Sequence, residues 1–215
     1  KAMNMPVKVF MTRDDDMKND FYRDASVHAL KGGIGADGKI NGWIHKAIYS
    51  GGGAAISPPY NIPEPNNMRV NTNLPVPTGA WRSVSYTQVI YANESFIDEL
   101  AHLAGEDPYE FRIKHTTNTR LKNVLTEVAD KAGWKDSLPA RHGKGIACFQ
   151  GYDGYVAHVI EVSVSEQGKL KVERIVSVVD TGIAINPRNI ENQIIGAAID
   201  GLSTAVKAEI TVDEG

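Results

Sequence analysis

A proline-rich segment in the first half of the chain constrains the fold most. Residues 50–77 contain a glycine triplet and six prolines, and neither a helix interior nor a central strand tolerates proline at that frequency. We predict a long loop that crosses a surface, with a short strand at 68–70. A flexible linker between two domains is the alternative, although apolar residues are frequent here for a solvated tether: Ile56, Tyr60, Ile62, Met68, Val70 and Leu74.

The residues before this loop have the pattern of a β-hairpin. Two apolar stretches at 25–34 and 39–49 flank Asp37-Gly38, a pair typical of hairpin turns because both residues tolerate positive φ. We therefore predict a β-rich segment over residues 1–85 that includes the long loop. A second segment covers 86–215, and a single compact unit over 1–215 is the alternative division.

The second segment begins with helices. Apolar residues recur at helical spacing over 89–104 and 121–132, and each run ends at a glycine, Gly105 or Gly133. Between them, Asp107 followed by proline is typical of a helix start. We interpret these helices as scaffold, with their polar residues facing solvent.

Strands and a last helix follow. The segments 155–165 and 169–180 are rich in valine and isoleucine and flank a Gln-Gly turn, and Asn186-Pro187 then begins a helix. A strand-like run at 209–212 ends the sequence. This order predicts an α+β fold, with mixed sheets and β-hairpins packed against several helices.

Composition excludes several kinds of function. The chain has 215 residues and a net charge of −3, so neither a basic stripe for nucleic acid nor an acidic tail dominates it. Its single cysteine, Cys148, excludes disulfides and thiolate-rich zinc or iron–sulfur sites within the chain. The six histidines have no metal-ligand spacing. No run approaches the roughly 20 apolar residues that span a bilayer, and the cellular compartment is left open.

The first candidate site is the loop at 77–88. Prolines and a glycine precede Arg82, and hydroxyl side chains follow it at the start of an apolar helix. Arginine offers a fixed fork of donors, and a helix N-terminus adds unpaired N–H groups, so the pattern suits an anion or a polar cofactor. A surface ion pair of Arg82 with a carboxylate is the alternative.

The second candidate is a glycine-flanked polar loop at 148–155. Gln150 can donate and accept hydrogen bonds, and Gly151 permits close approach of a ligand. A plain turn or β-bulge is the alternative. Cys148 has no neighbouring base or cation in sequence, so we interpret it as a small buried hydrophobe.

The third candidate lies where a strand ends at Asp180 and the last helix begins. Gln193, Gly196 and Gly201 share one face of this helix. Small residues on such a face allow another backbone or a cofactor to pack closely. Ordinary helix packing remains the alternative.

Taken together, these stretches resemble the large, molybdopterin-binding subunit of the molybdenum hydroxylases, the xanthine dehydrogenase and aldehyde oxidase family. The branch they most resemble contains the β subunit of isoquinoline 1-oxidoreductase. The matching segments occur in order along the chain: 12–17 (TRDDDM), 20–23 (DFYR), 76–84 (VPTGAWRSV), 94–101 (ESFIDELA), 107–112 (DPYEFR), 154–157 (GYVA), 179–187 (VDTGIAINP) and 193–203 (QIIGAAIDGLS).

The resemblance implies an oxidoreductase that hydroxylates an aromatic N-heterocycle or oxidises an aldehyde with oxygen from water. It implies a molybdenum–molybdopterin cofactor in its cytosine dinucleotide form, and a small iron–sulfur partner subunit that carries 2Fe–2S clusters. It also implies that Arg82 lies in the active-site loop, where a donor stabilises negative charge that develops on the substrate. The implied cofactor-binding residues are Gly79, Ala80, Trp81, Arg82, Gln150, Gly151, Gln193 and Gly196.

Two family motifs are missing from the sequence. It contains neither the Met-Gly-Gln-Gly loop nor the Gly-x-Gly-Glu segment with the catalytic glutamate. Glu94, Glu99 and Glu110 fall on scaffold-like helices, and Glu209 and Glu214 fall near the end. We therefore expect an internal fragment that is inactive alone and binds no cofactor by itself. The alternatives are the large subunit of a molybdenum aldehyde dehydrogenase and a non-catalytic binding or assembly module.

Overall fold

A computed structural model describes residues 4–53, 57–209 and 211. Helices and strands follow one another in this order: α1 (Arg13–Asn19), β1 (Ser26–Ile34), β2 (Ile40–Tyr49), β3 (Asn66–Asn71), α2 (Tyr86–Ala104), α3 (Pro108–His115), α4 (Thr119–Ala132), β4 (His142–Gly151), β5 (Gly154–Val164), β6 (Leu170–Asp180) and α5 (Pro187–Val206). The fold is α+β, as the sequence predicts. Ile56, Glu214 and two residues of the strand-like run at 209–212, Ile210 and Val212, lie outside the described residues.

The first sheet has the order β1-β2-β3. β1 and β2 form the predicted antiparallel hairpin, and Gly38 in its turn has a φ of 71°. β3 pairs with β2 in parallel and contains the predicted strand at 68–70. A hairpin with a parallel third strand makes this sheet mixed.

The proline-rich loop packs against the core between the hairpin and β3. Tyr60 and Ile62 are both 8% exposed and belong to the same apolar cluster as Phe111 and Leu125. Burial of these side chains favours an ordered loop, because a solvated tether would leave them in water.

Three helix ends lie where the predicted capping residues place them. Gly105 follows α2 and Gly133 follows α4, and both adopt the left-handed conformation that closes a helix. The Asp107 side chain accepts hydrogen bonds from the backbone nitrogens of Tyr109 and Glu110 at the start of α3. These helices bury many core residues, which supports their interpretation as scaffold, although Glu94 on α2 is buried and does not face solvent.

The second sheet is an antiparallel meander, β4-β5-β6, and it corrects one expectation. The polar loop expected at 148–155 is mostly strand, since Cys148 and Gln150 lie in β4 and only Tyr152 and Asp153 form the turn. Both turn residues have positive φ, 52° and 59°. The glycines in this stretch favour a loop in the sequence. In the structure, the alternation of buried residues, Ile146 and Cys148, with more exposed ones is typical of a strand.

Helix α1 was missed in a region that reads as β. Thr12 caps it by a capping box with Asp15, in which each residue binds the other's backbone nitrogen. None of its residues is buried. Without an apolar face it leaves no periodic signal in the sequence, so only the cap could have revealed it.

Helix α5 differs from the other long helices because it buries none of its residues. Its N-cap is Asn186, as predicted, and the side chain accepts a hydrogen bond from the Asn189 nitrogen. Within the part of the chain that the structure describes, no helix combines the length and the apolarity that crossing a membrane requires.

Candidate functional site

The loop that carries Arg82 is joined to the segment before β1. The Tyr22 nitrogen donates to the Pro77 carbonyl at 2.9 Å, and the Gly79 nitrogen donates to the Tyr22 carbonyl at 3.0 Å. A Cβ on residue 79 would lie 2.7 Å from the Cβ of Phe21, so this close approach requires glycine. The predicted Gly79 therefore shapes the loop through packing.

Trp81 and Arg23 hold the next part of the same loop. The Trp81 indole donates to the Phe21 carbonyl at 2.6 Å. Nη1 of Arg23 donates to the carbonyls of Arg82 and Val84 at 2.9 and 3.0 Å. These contacts hold a strained turn, because Val84 has a φ of 50°, a region that disfavours β-branched residues. Ala80 is exposed.

Arg82 contacts Gln193 on α5. Its Nη2 donates to the Gln193 carbonyl at 2.9 Å and to the Gln193 side-chain oxygen at 3.0 Å. Among the described residues no carboxylate forms an ion pair with Arg82, so the ion-pair alternative is wrong there. Both contacts use one nitrogen, and Nε and Nη1 have no hydrogen-bond partner in the described part of the chain.

Gly196 lies beside the same guanidinium. A Cβ on residue 196 would be 3.5 Å from Nη1 of Arg82. The structure therefore brings together three of the predicted residues, Arg82, Gln193 and Gly196, from two segments of the sequence. Gly201, which the sequence pattern predicts on the same helix face, instead lines a cavity of about 980 Å³ between β1, α2 and the end of α5.

Gln150 and Gly151 lie near the first turn of α2 and do not contact Arg82. The Phe149 ring packs on Tyr86, the first residue of α2, with 4.9 Å between ring centroids. Tyr152 contacts the same ring at 5.6 Å. Gln150 is exposed, and a Cβ on residue 151 would overlap the Phe149 ring. Gly151 is thus required by packing.

An ion pair missed by the sequence reasoning supports the start of α5. Arg120 on α4 donates from Nε and Nη2 to the two carboxylate oxygens of Asp180, each at 2.7 Å. These hydrogen bonds, with another from the Gly182 nitrogen, lower the pKa of Asp180 to about 2. Asp180 ends β6, and its partner lies 60 residues earlier, so no local pattern pairs them.

The other titratable groups form no metal site in the described residues, since no three of the histidine, cysteine and acidic side chains cluster there. Cys148 is buried, as expected, and burial raises the pKa of its thiol. Glu99, Glu110 and Glu209 are exposed, whereas Glu94 is buried. None of these glutamates contacts Arg82.

Comparison with known protein families identifies the chain. Residues 80–215 match a family described as a molybdopterin cofactor-binding domain, and residues 1–116 match a second family with the same description. The chain belongs to the molybdopterin cofactor-binding domains. The resemblance drawn from the motifs is thereby confirmed.

Three relatives illustrate where such domains occur. The matching subunit of nicotinate dehydrogenase from Pseudomonas putida is 28% identical over 100% of this chain and 22% of its own length. The β subunit of isoquinoline 1-oxidoreductase from Brevundimonas diminuta is 28% identical over 100% of this chain and 31% of its own length. The aldehyde oxidoreductase molybdenum-binding subunit PaoC of Escherichia coli is 28% identical over 85% of this chain and 29% of its own length.

The chain thus spans between about a fifth and a third of each of these relatives. All three are named as subunits, and their names are those of oxidoreductases. The family to which this molybdopterin-binding domain belongs is therefore enzymatic.

Proposed function

We propose that this chain forms part of the molybdopterin site of a molybdenum hydroxylase and that Arg82 and Gln193 lie at that site. The contact between these two residues carries the proposal. It joins two motifs of the family resemblance that are far apart in sequence, and it leaves Nε and Nη1 of Arg82 without a partner in the described chain.

The side chains at this position fit the cofactor chemically. Molybdopterin carries a phosphate and a pterin ring with hydrogen-bond donors and acceptors along its edge. The unpartnered donors of Arg82 suit an anionic or carbonyl oxygen, and the Gln193 amide suits a ring edge. Gly196 adds no side chain beside the guanidinium. Arg82, Gln193 and Gly196 would hold the cofactor, with Gln150 and Gly151 as further candidates.

When bound, the cofactor supplies a molybdenum centre that takes up two electrons from the substrate. The task proposed for Arg82 is electrostatic: its fixed positive charge stabilises negative charge that develops on the substrate. Gln193 orients the guanidinium, and Arg23 fixes the backbone on which it stands. The sequence supplies no catalytic glutamate of the family motif, so we expect these 215 residues to be inactive alone.

The proposed substrate is an aromatic N-heterocycle of the isoquinoline type, hydroxylated with oxygen from water. Support comes from two relatives named for nicotinate and isoquinoline, both of which align over 100% of this chain. Aldehyde oxidation is the second candidate, since PaoC aligns over 85%. The proposed electron acceptor is a small subunit with 2Fe–2S clusters, and the proposed cofactor form is the cytosine dinucleotide.

The test measures cofactor content and substrate preference in the natural full-length protein. We expect molybdenum and pterin near one per chain, and turnover of isoquinoline with a dye acceptor that exceeds turnover of benzaldehyde. The variant Arg82→Ala should lose turnover, and Arg188→Ala, an exposed arginine on α5, should not. Absence of pterin from the natural protein would favour a non-catalytic module. Preference for benzaldehyde would favour the aldehyde alternative.

A further inference from the structure

The buried carboxylate of Glu94 joins four parts of the fold. Glu94 lies on α2 and is 5% exposed. Its Oε2 accepts hydrogen bonds from the Cys148 backbone nitrogen at 2.9 Å and from Nε of Arg112 at 3.0 Å. Its Oε1 accepts from the Tyr60 hydroxyl at 2.9 Å. One side chain thus contacts β4, α3 and the proline-rich loop from α2.

Arg112 balances the charge of this carboxylate. The guanidinium is fully buried and donates from Nη1 to Asp98 at 2.6 Å and from Nη2 to the Glu94 carbonyl at 3.1 Å. Burial raises the pKa of the Cys148 thiol, and the Glu94 carboxylate adds to this effect, so the thiol stays protonated beside the ion pair. The cluster is therefore a buried ion pair whose hydrogen bonds are satisfied, as such pairs require.

This cluster lies next to two of the candidate site residues, Gln150 and Gly151. The nitrogen that Glu94 binds belongs to Cys148, two residues before Gln150 on β4. Glu94 itself lies on the helix whose first turn follows the Arg82 loop, and Phe149 packs on Tyr86 in that turn. Two contacts therefore hold the end of β4 against α2: the Phe149–Tyr86 ring contact and the hydrogen bond from the Cys148 backbone nitrogen to Glu94.

We propose that Glu94 is a positioning residue that holds Gln150 and Gly151 beside the Arg82 loop for binding of the cofactor. This inference rests on the proposed function, because it assigns the scaffold glutamate a task at that same site. Glu94 does not touch the reacting groups. It acts through the Cys148 amide, whose hydrogen bond holds this part of β4 against α2.

Residue 94 needs an oxygen that accepts a hydrogen bond from the Cys148 amide. Two double variants can separate this need from the negative charge of the Glu94 carboxylate. In an Arg112→Met background, Glu94→Gln and Glu94→Leu both lack the buried charges. Only Gln keeps an oxygen for the Cys148 amide. Replacing a buried ion pair with uncharged groups of similar size is often tolerated, so both double variants should fold. Their comparison separates the hydrogen bonds of residue 94, with the Cys148 amide and the Tyr60 hydroxyl, from its charge, and exchange at 148–151 reports on the first of them.

The experiment measures amide hydrogen exchange and pterin content in the natural full-length protein. We expect Glu94→Leu/Arg112→Met to exchange about tenfold faster at 148–151 than Glu94→Gln/Arg112→Met, as loss of one hydrogen bond allows local opening. Pterin per chain should fall by about half or more in the Leu variant and stay at the wild-type level in the Gln variant. Asp98→Asn, which weakens Arg112 pairing without touching β4, should change neither.

Equal exchange at 148–151 in the two double variants would overturn the inference, and so would faster exchange spread evenly over the whole chain. Equal pterin content in the two would also overturn it. Failure of the proposed function has a different signature, since the wild-type protein would then carry no pterin at all.

Discussion

Arg82 donates two hydrogen bonds from a single nitrogen to Gln193, 111 residues further along the chain. This contact matters for α5, because that helix buries none of its residues and packs loosely on the rest of the fold. At its start, the ion pair of Arg120 with Asp180 supports the preceding turn. A ligand that binds the unpartnered donors of Arg82 therefore also acts on α5, because the same guanidinium is hydrogen-bonded to Gln193 on that helix.

Replacement of Arg82 by alanine should affect catalysis more than folding. The side chain is exposed, and its loss removes two hydrogen bonds to Gln193, each worth about 1 kcal/mol or less at the surface. In the natural protein we expect kcat to fall by about 100-fold, the range found for removal of a charge-stabilising donor. Turnover and the melting temperature measured together check this. An unchanged kcat with a lowered melting temperature would contradict the assignment.

The variant Gly196→Ala should raise the stability of the fold and at the same time weaken binding of the cofactor. Alanine in a helix interior is more favourable than glycine by about 0.5–1 kcal/mol, so the melting temperature should rise. The new Cβ would also lie 3.5 Å from Nη1 of Arg82, in the space available to a ligand. We expect cofactor content to fall. Gly201→Ala is the matched control, because a Cβ there meets nothing within 4 Å. It should raise stability and leave cofactor content unchanged.

The ion pair of Arg120 with Asp180 should make the local stability of the turn before α5, and of the first residues of α5, depend on pH in acid. The pKa of Asp180 is lowered from 3.8 to about 2, chiefly by hydrogen bonds from Arg120. A lowered folded-state pKa means that the stabilisation is fully present above pH 3.8 and is lost as the pH falls through 2. Amide exchange at 182–190 should therefore be faster in Asp180→Asn than in wild type at about pH 5, with the difference shrinking at about pH 2.5.

A matched control for this variant is Glu127→Gln, which breaks an exposed ion pair with Lys131 on α4. Surface pairs of this kind contribute little, and residue 127 lies away from the β6–α5 turn. Exchange at 182–190 should be unaffected by it. Identical exchange in the two variants at the higher pH would show that Asp180 does not hold the turn.

Local elements of this fold could be predicted from sequence, and contacts between distant segments could not. Gly105, Gly133 and Asp37-Gly38 act through their own backbone conformation, so their sequence context was sufficient. The pairing of Arg120 with Asp180 depends on how α4 packs on the second sheet, which no short pattern encodes. Strand β4 was partly misread because its glycines suggest a loop, and the sheet supplies the pairing that its local propensity lacks.

The candidate site shows the same division. Arg82, Gln193 and Gly196 were each singled out by local pattern and family resemblance, but their mutual contact appears only in the fold. Arg23 is an arginine just before a strand, and nothing near it in sequence indicates that it binds the Arg82 carbonyl. The sequence pattern around Glu94 predicts a solvated helix residue. Its contacts with Arg112 and the Cys148 amide form only when distant segments pack together in the fold.

A pair of histidines in the first sheet, of which His45 is buried, should make stability fall in weak acid. Nδ1 of His28 lies 2.8 Å from Nε2 of His45, and His45 is fully buried. Burial, with a further contribution from the neighbouring His28, lowers the pKa of His45 to about 4. The unfolded chain therefore takes up a proton below pH 6.5 that the folded chain refuses until about pH 4. The free energy of unfolding should drop across this window by about 3 kcal/mol at most.

The variant His45→Gln removes this titration and should reduce the dependence of the free energy of unfolding on pH between pH 6.5 and 4, even if it lowers stability at neutral pH. Urea unfolding at several pH values measures the slope directly. His102→Gln, an exposed histidine on α2, is the control and should retain the wild-type slope. If His45→Gln keeps that slope too, then another group is responsible, and the remaining histidines with lowered pKa values, His28, His115 and His158, become the candidates.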